Sequence, residues 1–244
     1  NVGVGPTGVE MERIYDTQDG LFDCSWSELN ENQIATASGD GSIKLWDLTL
    51  PVLEFPIKNW HEHGREVFSV HWNLVRKDTI VSGSWDKTIK LWNPESSQSI
   101  NTYTGHRECV YNTIWSPYNP DIFGSASGDQ TVKIWDVKAP QSVQTINIIN
   151  SNEVLSLDWN KYRENVIVTG SVDHTVRVWD LRNTVRELVC LRGHEYAVRR
   201  VKCSPHKASI VASVSYDMTL RLWDTDKENP LVGVHDAHTE FVLG

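Results

Sequence analysis

Short runs with an apolar residue at every second position dominate the chain, as in EVFSVHW, CVYNTIW and EVLSLDW, and then in TIKLW, TVKIW and TVRVW. Such alternation is the signature of a strand with one buried face, and in the second group Lys or Arg stands between the apolar positions. Asp-Gly, Asp-Lys and Asp-Gln pairs, which are good turn formers, precede the second group and join it to the strand before. Each unit therefore predicts at least three short strands, and the variable stretch after its closing Trp leaves room for a fourth.

The units recur. Trp46, Trp92, Trp135, Trp179 and Trp223 close the strings SGDGSIKLWD, GSWDKTIKLWN, SGDQTVKIWD, GSVDHTVRVWD and VSYDMTLRLWD, at separations of 46, 43, 44 and 44 residues. A period of this size is that of a propeller blade. An Asp stands six residues before each marker (Asp40, Asp86, Asp129, Asp173, Asp217), and a second landmark stands twenty before it (Trp26, Trp72, Trp115, Trp159, Cys203). Twenty-nine residues before the marker lie His63, His106 and His194, with Thr17 and Asn150 at the equivalent places. Trp60 and Trp85 are the tryptophans that these series leave over.

These landmarks resemble the WD-repeat family. The resemblance implies an all-β fold, a WD-repeat β-propeller of four-stranded blades around a central channel. It implies one domain over residues 1–244, with repeats at about 17–57, 58–100, 101–144, 145–188 and 189–232 and a partial repeat at 233–244. Propellers of this family have seven blades, so five complete repeats plus parts of the flanking ones are expected to represent a truncated ring. Residues 1–16 would supply the outer remnant of a preceding blade. Within a blade the family fastens strands and turn with a hydrogen-bonded tetrad. The matching residues here are His63, Asp86 and Trp92; His106, Asp129 and Trp135; and His194, Asp217 and Trp223. Ser stands two and four residues before each of these Asp residues (Ser84 and Ser82, Ser127 and Ser125, Ser215 and Ser213). Both fall on one face of a strand, so both are candidates for the fourth member.

The remaining chemistry argues against an enzyme. A catalytic Ser-His-Asp triad occurs once, on an exposed nucleophile, whereas these residues recur in every complete set and end in a core Trp. His61-x-His63 and His235-x-x-His238 have no Cys or third ligand near them in sequence, so no metal and no cofactor is expected. Gly39, Gly128 and Gly170 sit at repeated strand and turn positions, without the helix that would present a phosphate. Cys24, Cys109, Cys190 and Cys203 are far apart, as expected for free thiols in a reducing compartment. The series Lys44, Lys90, Lys133, Arg177 and Arg221 reads as a solvated strand face.

The chain carries a net charge of −9, which disfavours nucleic acid and favours a basic partner. The one local basic cluster, Arg199, Arg200 and Lys202, is too short to reverse this. Asp19, Glu66, Glu108, Glu153, Glu195 and Glu240 lie within three residues after the His-equivalent position, one per repeat, and predict an acidic ring at the channel mouth. Trp85 and Tyr216, immediately before the repeated Asp, and Tyr196, close behind His194, are candidate aromatic anchors. An acidic rim with an aromatic floor suits an amphipathic helix that has basic and aliphatic faces.

Longer strings, including DGLFDCSWSE, GHRECVYNTIWSP, KYRENVIVTGSVDHTVRVWDLRN and GHEYAVRRVKCSPHKASIVASVSYDMTLRLWD, are similar to the receptors of the type-2 peroxisomal targeting signal. That resemblance implies binding of the N-terminal signal helix of peroxisomal matrix proteins. It also implies a co-receptor, either long peroxin-5 or a peroxin-20-type protein, and residence in the cytosol with shuttling to the peroxisome matrix, without membrane insertion. On this reading Asp19, Glu66, Glu108 and Glu153 receive the basic residues of the signal, and Trp85, Tyr196 and Tyr216 its apolar side. A WD-repeat adaptor for another basic peptide, such as a histone tail, is the competing expectation.

Overall fold

A computed structural model describes strands at residues 2–5 and 8–11 and the chain over residues 14–51, 56–148 and 152–243. Strands β1 (Val2–Gly5) and β2 (Gly8–Met11) pair with each other as a separate two-stranded sheet. Five antiparallel four-stranded meanders follow. The first holds β3 (Leu21–Trp26), β4 (Gln33–Ser38), β5 (Ile43–Asp47) and β6 (Lys58–Trp60). The second holds β7 (Val67–Trp72), β8 (Ile80–Ser84), β9 (Ile89–Trp92) and β10 (Asn101–Tyr103). The third holds β11 (Val110–Trp115), β12 (Ile122–Ser127), β13 (Thr131–Asp136) and β14 (Gln144–Asn147). The fourth holds β15 (Val154–Trp159), β16 (Val166–Ser171), β17 (Thr175–Asp180) and β18 (Val189–Arg192). The fifth holds β19 (Val198–Cys203), β20 (Ile210–Ser215), β21 (Leu220–Asp224) and β22 (Leu231–His235). This all-β arrangement is a WD-type β-propeller architecture.

The sheets are out of phase with the sequence repeats. Strands β6, β10 and β18 come from the opening residues of the following repeat, and β14 straddles a repeat boundary. Strand pairing decides this: Trp60 lies opposite Ile43, Tyr103 opposite Ile89, Ile146 opposite Val132 and Leu191 opposite Val176, so each of these four outer strands adds an apolar residue to the buried face. Trp60 is thereby accounted for. It packs beside Trp92 at 5.5 Å between ring centroids, and its indole N–H donates to the Ser96 carbonyl at 3.1 Å.

Four cores lie between successive sheets. Ala35, Ile43 and Leu45 of the first pack on Val70, Trp72 and Trp92 of the second, and Val81, Ile89 and Tyr103 of the second pack on Trp115, Phe123 and Trp135 of the third. The remaining two cores repeat the arrangement around Trp159 with Trp179 and around Cys203 with Trp223. The second-landmark tryptophans are thus wedges against the preceding sheet. Trp26 shows the converse: with no earlier four-stranded sheet among the described residues, it is 44% exposed, whereas Trp72, Trp115 and Trp159 are buried.

Each innermost strand is a sheet edge, and an edge offers unpaired backbone N–H groups. Side chains of the preceding sheet take them up. Asp23 and Ser25 accept from Val70 and Trp72 at 3.2 and 2.9 Å; Ser69 and His71 accept from Thr113 and Trp115 at 2.9 and 3.3 Å. Asn112 accepts from Leu157 at 3.0 Å, and Ser156 and Asp158 accept from Val201 and Cys203 at 3.1 and 2.8 Å. The polar residues in otherwise apolar inner strands are therefore inter-sheet hydrogen-bond acceptors. Arg200, at the corresponding place in the fifth sheet, reaches back to Asp23 of the first at 3.4 Å, so the inner strands converge on a common centre.

Candidate functional site

The His, Asp and Trp landmarks meet in the second, third and fifth sheets. His63 Nδ1 lies 2.8 Å from Asp86 and its Nε2 lies 2.8 Å from Ser82 Oγ, which accepts the Trp92 indole N–H at 2.8 Å. His106, Asp129, Ser125 and Trp135 repeat this at 2.9, 2.6 and 2.8 Å, and His194, Asp217, Ser213 and Trp223 at 2.7, 2.7 and 2.8 Å. The arrangement suits Nδ1–H donating to Asp, with Ser Oγ–H, whose oxygen accepts from Trp, directed at Nε2. The Ser four residues before Asp is the one in the chain. The Ser two residues before it donates instead to the carbonyls of Arg65, Glu108 and Tyr196, tying the turn to the inner strand. Burial alone would raise the Asp86 and Asp129 carboxyls, but His, Thr and backbone donors hold both far below the usual carboxylate range, and hold Asp217 at about 2. Largely buried and engaged with one another, these groups form a fastening.

In the first and fourth sheets the cation series takes over, which corrects the expectation of a solvated strand face. Lys44 and Arg177 are only 7% and 6% exposed. Lys44 Nζ donates to Asp40 at 3.1 Å and Arg177 Nη2 to Asp173 at 2.6 Å. There the marker Trp donates to a threonine, Thr36 at 2.9 Å and Thr169 at 3.0 Å. Asn150 lies outside the described residues.

Every inner strand carries a β-bulge at its second residue, marked by register shifts across Phe22, Phe68, Tyr111, Leu155 and Arg199. A bulge re-aims its side chain, and three of these residues come together. Phe22 stacks on Phe68 at 4.2 Å, Phe68 stacks on Trp85 at 5.1 Å, and the Arg65 guanidinium covers Trp85 at 5.3 Å. Tyr111 meets Phe68 edge-on at 5.8 Å and donates its hydroxyl to Glu153 at 2.8 Å. Burial and the Glu153 carboxylate both push the Tyr111 phenol up, so it stays a donor. The bulged positions stand twenty-four residues before each marker Trp, a constant spacing that was legible in the sequence.

The six acidic residues do not share one register. Glu66 and Glu153 immediately precede their inner strands and give their carbonyls to Trp85 and Val172; Asp19 and Glu108 lie one residue further out, and Glu195 one further still. Glu66 sits 3.5 Å from Arg65, and Glu108 sits 3.4 Å from Lys87. Glu195 and Glu240 are exposed. What the structure brings together is a smaller group. A side chain at Gly128 would touch the Glu108 Cβ, the Tyr111 ring and the Glu153 carboxyl carbon, all within 3.7 Å, so the missing side chain admits Glu153 and the stem of Glu108 next to the aromatic stack. Gly39 likewise leaves room for Asp19, at 3.0 Å. Of the aromatic candidates, Trp85 belongs to the stack and is half-buried. Tyr216 is half-buried against Phe241 at 5.2 Å, and Tyr196, 59% exposed, stands apart near His174 at 6.4 Å. Sequence reasoning passed over Phe22, Phe68 and Tyr111, and it set Arg199 aside as part of a short basic cluster.

Among the described residues no group of three His, Cys, Asp or Glu side chains is placed to hold a metal ion, and no helix is long and apolar enough to cross a membrane. A family model described as EIPR1 beta-propeller matches residues 94–223, and one described as WD domain, G-beta repeat matches residues 11–47 and 54–93. Proteins named peroxisomal targeting signal 2 receptor align with parts of the chain. The one from Dictyostelium discoideum is 55% identical over 58 residues, 24% of this chain and 18% of its own length. Those from Komagataella phaffii and Homo sapiens are 56% and 49% identical over 55 and 63 residues, 22% and 26% of this chain and 14% and 19% of their own. Each alignment thus covers less than a fifth of the relative it matches.

Proposed function

The chain belongs to the EIPR1 beta-propeller family of WD-repeat proteins and is peroxin-7-like in sequence, and on that premise we propose that it is a receptor for the type-2 peroxisomal targeting signal. The role is binding rather than catalysis. It takes up the N-terminal signal helix of matrix proteins in the cytosol and carries it with a co-receptor, long peroxin-5 or a peroxin-20-type protein, to the peroxisome.

The observation that carries this reading is the continuity of the Glu153 carboxylate, with Glu108 beside it across Gly128, with the Phe22–Phe68–Trp85 stack through Tyr111. Carboxylates beside a partly exposed aromatic surface match a helix that has one basic and one aliphatic face. Asp19, Glu66, Glu195 and Glu240 contribute to the field that draws a basic peptide in, and Tyr196 and Tyr216 extend the apolar contact outward. Binding is measured by fluorescence anisotropy with a type-2 signal peptide and a basic histone-tail peptide over a range of salt. The signal peptide is expected to bind more tightly and to keep its advantage at high salt through its aliphatic residues, and Glu108→Gln with Glu153→Gln is expected to weaken it tenfold or more. Equal affinity for the two peptides at every salt concentration would transfer the chain to the class of general basic-peptide adaptors.

A further inference from the structure

Arg199 is the one cation among the five bulged residues, and its surroundings do not account for it. It is 8% exposed and comes within 6.0 Å of the Phe68 ring centroid. No carboxylate or carbonyl of the described residues lies within hydrogen-bonding distance of its guanidinium. Asp23, the carboxylate whose field reaches it, already accepts from Arg200 at 3.4 Å and from the Val70 N–H at 3.2 Å. Arg200 adds a second positive charge beside it. A largely buried cation whose head still reaches the mouth, with a like charge as neighbour and no acceptor among the described residues, is costly, and folds retain such groups where a ligand supplies the missing partner.

We infer that Arg199 forms a carboxylate-receiving site at the mouth of the inner strands, filled by an acidic side chain of the docked peptide. This rests on the reading of the mouth as a peptide site. The bulge aims Arg199 at the same face of the inner strands as Phe22, Phe68 and Tyr111, so a peptide lying on the aromatic stack passes over the guanidinium. A planar guanidinium pairs with a carboxylate through two parallel hydrogen bonds. A single negative charge also suits a site whose field already includes the Asp23 carboxylate better than a doubly charged phosphate does. The two charge patterns then fix the direction of the peptide: its basic residues lie toward Glu108 and Glu153, and its one acidic residue lies over Arg199.

The test is a Gln-to-Glu scan along an amphipathic signal peptide, with affinities measured by anisotropy against the full chain. One position is expected to gain about tenfold when Glu replaces Gln, equivalent to about 1.4 kcal/mol. In Arg199→Gln that Glu/Gln ratio is expected to fall to about one, while Arg199→Lys retains part of it, so the readout is a ratio that a general loss of affinity leaves unchanged. The peptide change alone tests the wild-type chain, whatever the variants do to folding. If the Gln parent binds and no position gains from Glu, this inference fails and the receptor reading stands; if the parent does not bind, both fail. A gain abolished by millimolar inorganic phosphate but unaffected by Arg199→Gln would place the anion site elsewhere and overturn the assignment.

Discussion

The second, third and fifth sheets fasten their turns with a histidine, and the first and fourth do so with a cation; the difference shows which part of the device is indispensable. In all five, one carboxylate oxygen of the repeated Asp accepts from the backbone N–H and hydroxyl of the residue two positions on, Ser42, Thr88, Thr131, Thr175 or Thr219. The other oxygen needs a buried donor, and either His Nδ1–H or a Lys or Arg head supplies it. The hydroxyl that receives the marker Trp changes in step. It is Ser82, Ser125 or Ser213 where it must also donate to histidine, and Thr36 or Thr169 where it need not. Two solutions in one chain therefore satisfy the same account of donors and acceptors.

The comparison breaks most severely at the carboxylate. Asp129→Ala strands His106 Nδ1–H and the backbone N–H groups of Arg107 and Thr131 at a partly buried turn. A loss of about 3–5 kcal/mol is expected by urea denaturation; a loss below about 1 kcal/mol would show that the network is dispensable.

A sharper test uses two arginines at the same strand position. Arg177→Met removes the partner of half-buried Asp173 and is expected to cost about 2–3 kcal/mol. Arg221 stands 4.0 Å from Asp217, whose second oxygen is already filled by His194, so Arg221→Met should cost less than about 1 kcal/mol. Equal costs would mean that the cation acts through its aliphatic stem in both sheets.

Acid should separate the two kinds of sheet more gently. Burial depresses His194 below its ordinary value, and burial with Lys202, Lys161 and Arg200 lowers His71 to about 3. For a histidine held neutral in the folded chain the stabilisation is complete above about pH 6.5 and is lost as pH falls towards the folded value. Asp217 behaves likewise in a lower window: its contribution is present above about pH 4 and lost towards about 2. The melting temperature should therefore fall between pH 7 and 5. The fall should be smaller in His194→Asn and smaller again when His71→Gln is added. An unchanged slope in the double variant would assign the loss to other groups.

Much of this was readable from spacing because blades repeat. The marker Trp, the turn Asp and the three His residues each recur at a constant interval, and contacts made within one sheet depend on the local strand and turn that the interval specifies. Two-residue alternation could not choose between Ser82 and Ser84, since both face the same side; pairing of β8 with β9 brings Ser82 within reach of Trp92 and leaves Ser84 at the turn. Alternation also misjudged Lys44 and Arg177, because a cation between apolar residues looks solvated until the missing histidine beside it is taken into account. The acidic ring relied on a tolerance of three residues, and in a strand one residue is enough to reverse the face on which a side chain lies.

The sequence by itself determined the number of complete repeat units, their all-β character and the His, Asp and Trp of three fastenings, because these follow from a 44-residue period and from residues that meet within one meander. Tertiary structure alone decided that an outer strand is taken from the next repeat, that inner-strand polar residues cap the neighbouring sheet, and that bulges turn Phe22, Phe68, Tyr111 and Arg199 onto one mouth. Those arrangements depend on register between strands and on packing between sheets, and neither is encoded by the order of residues within a single repeat.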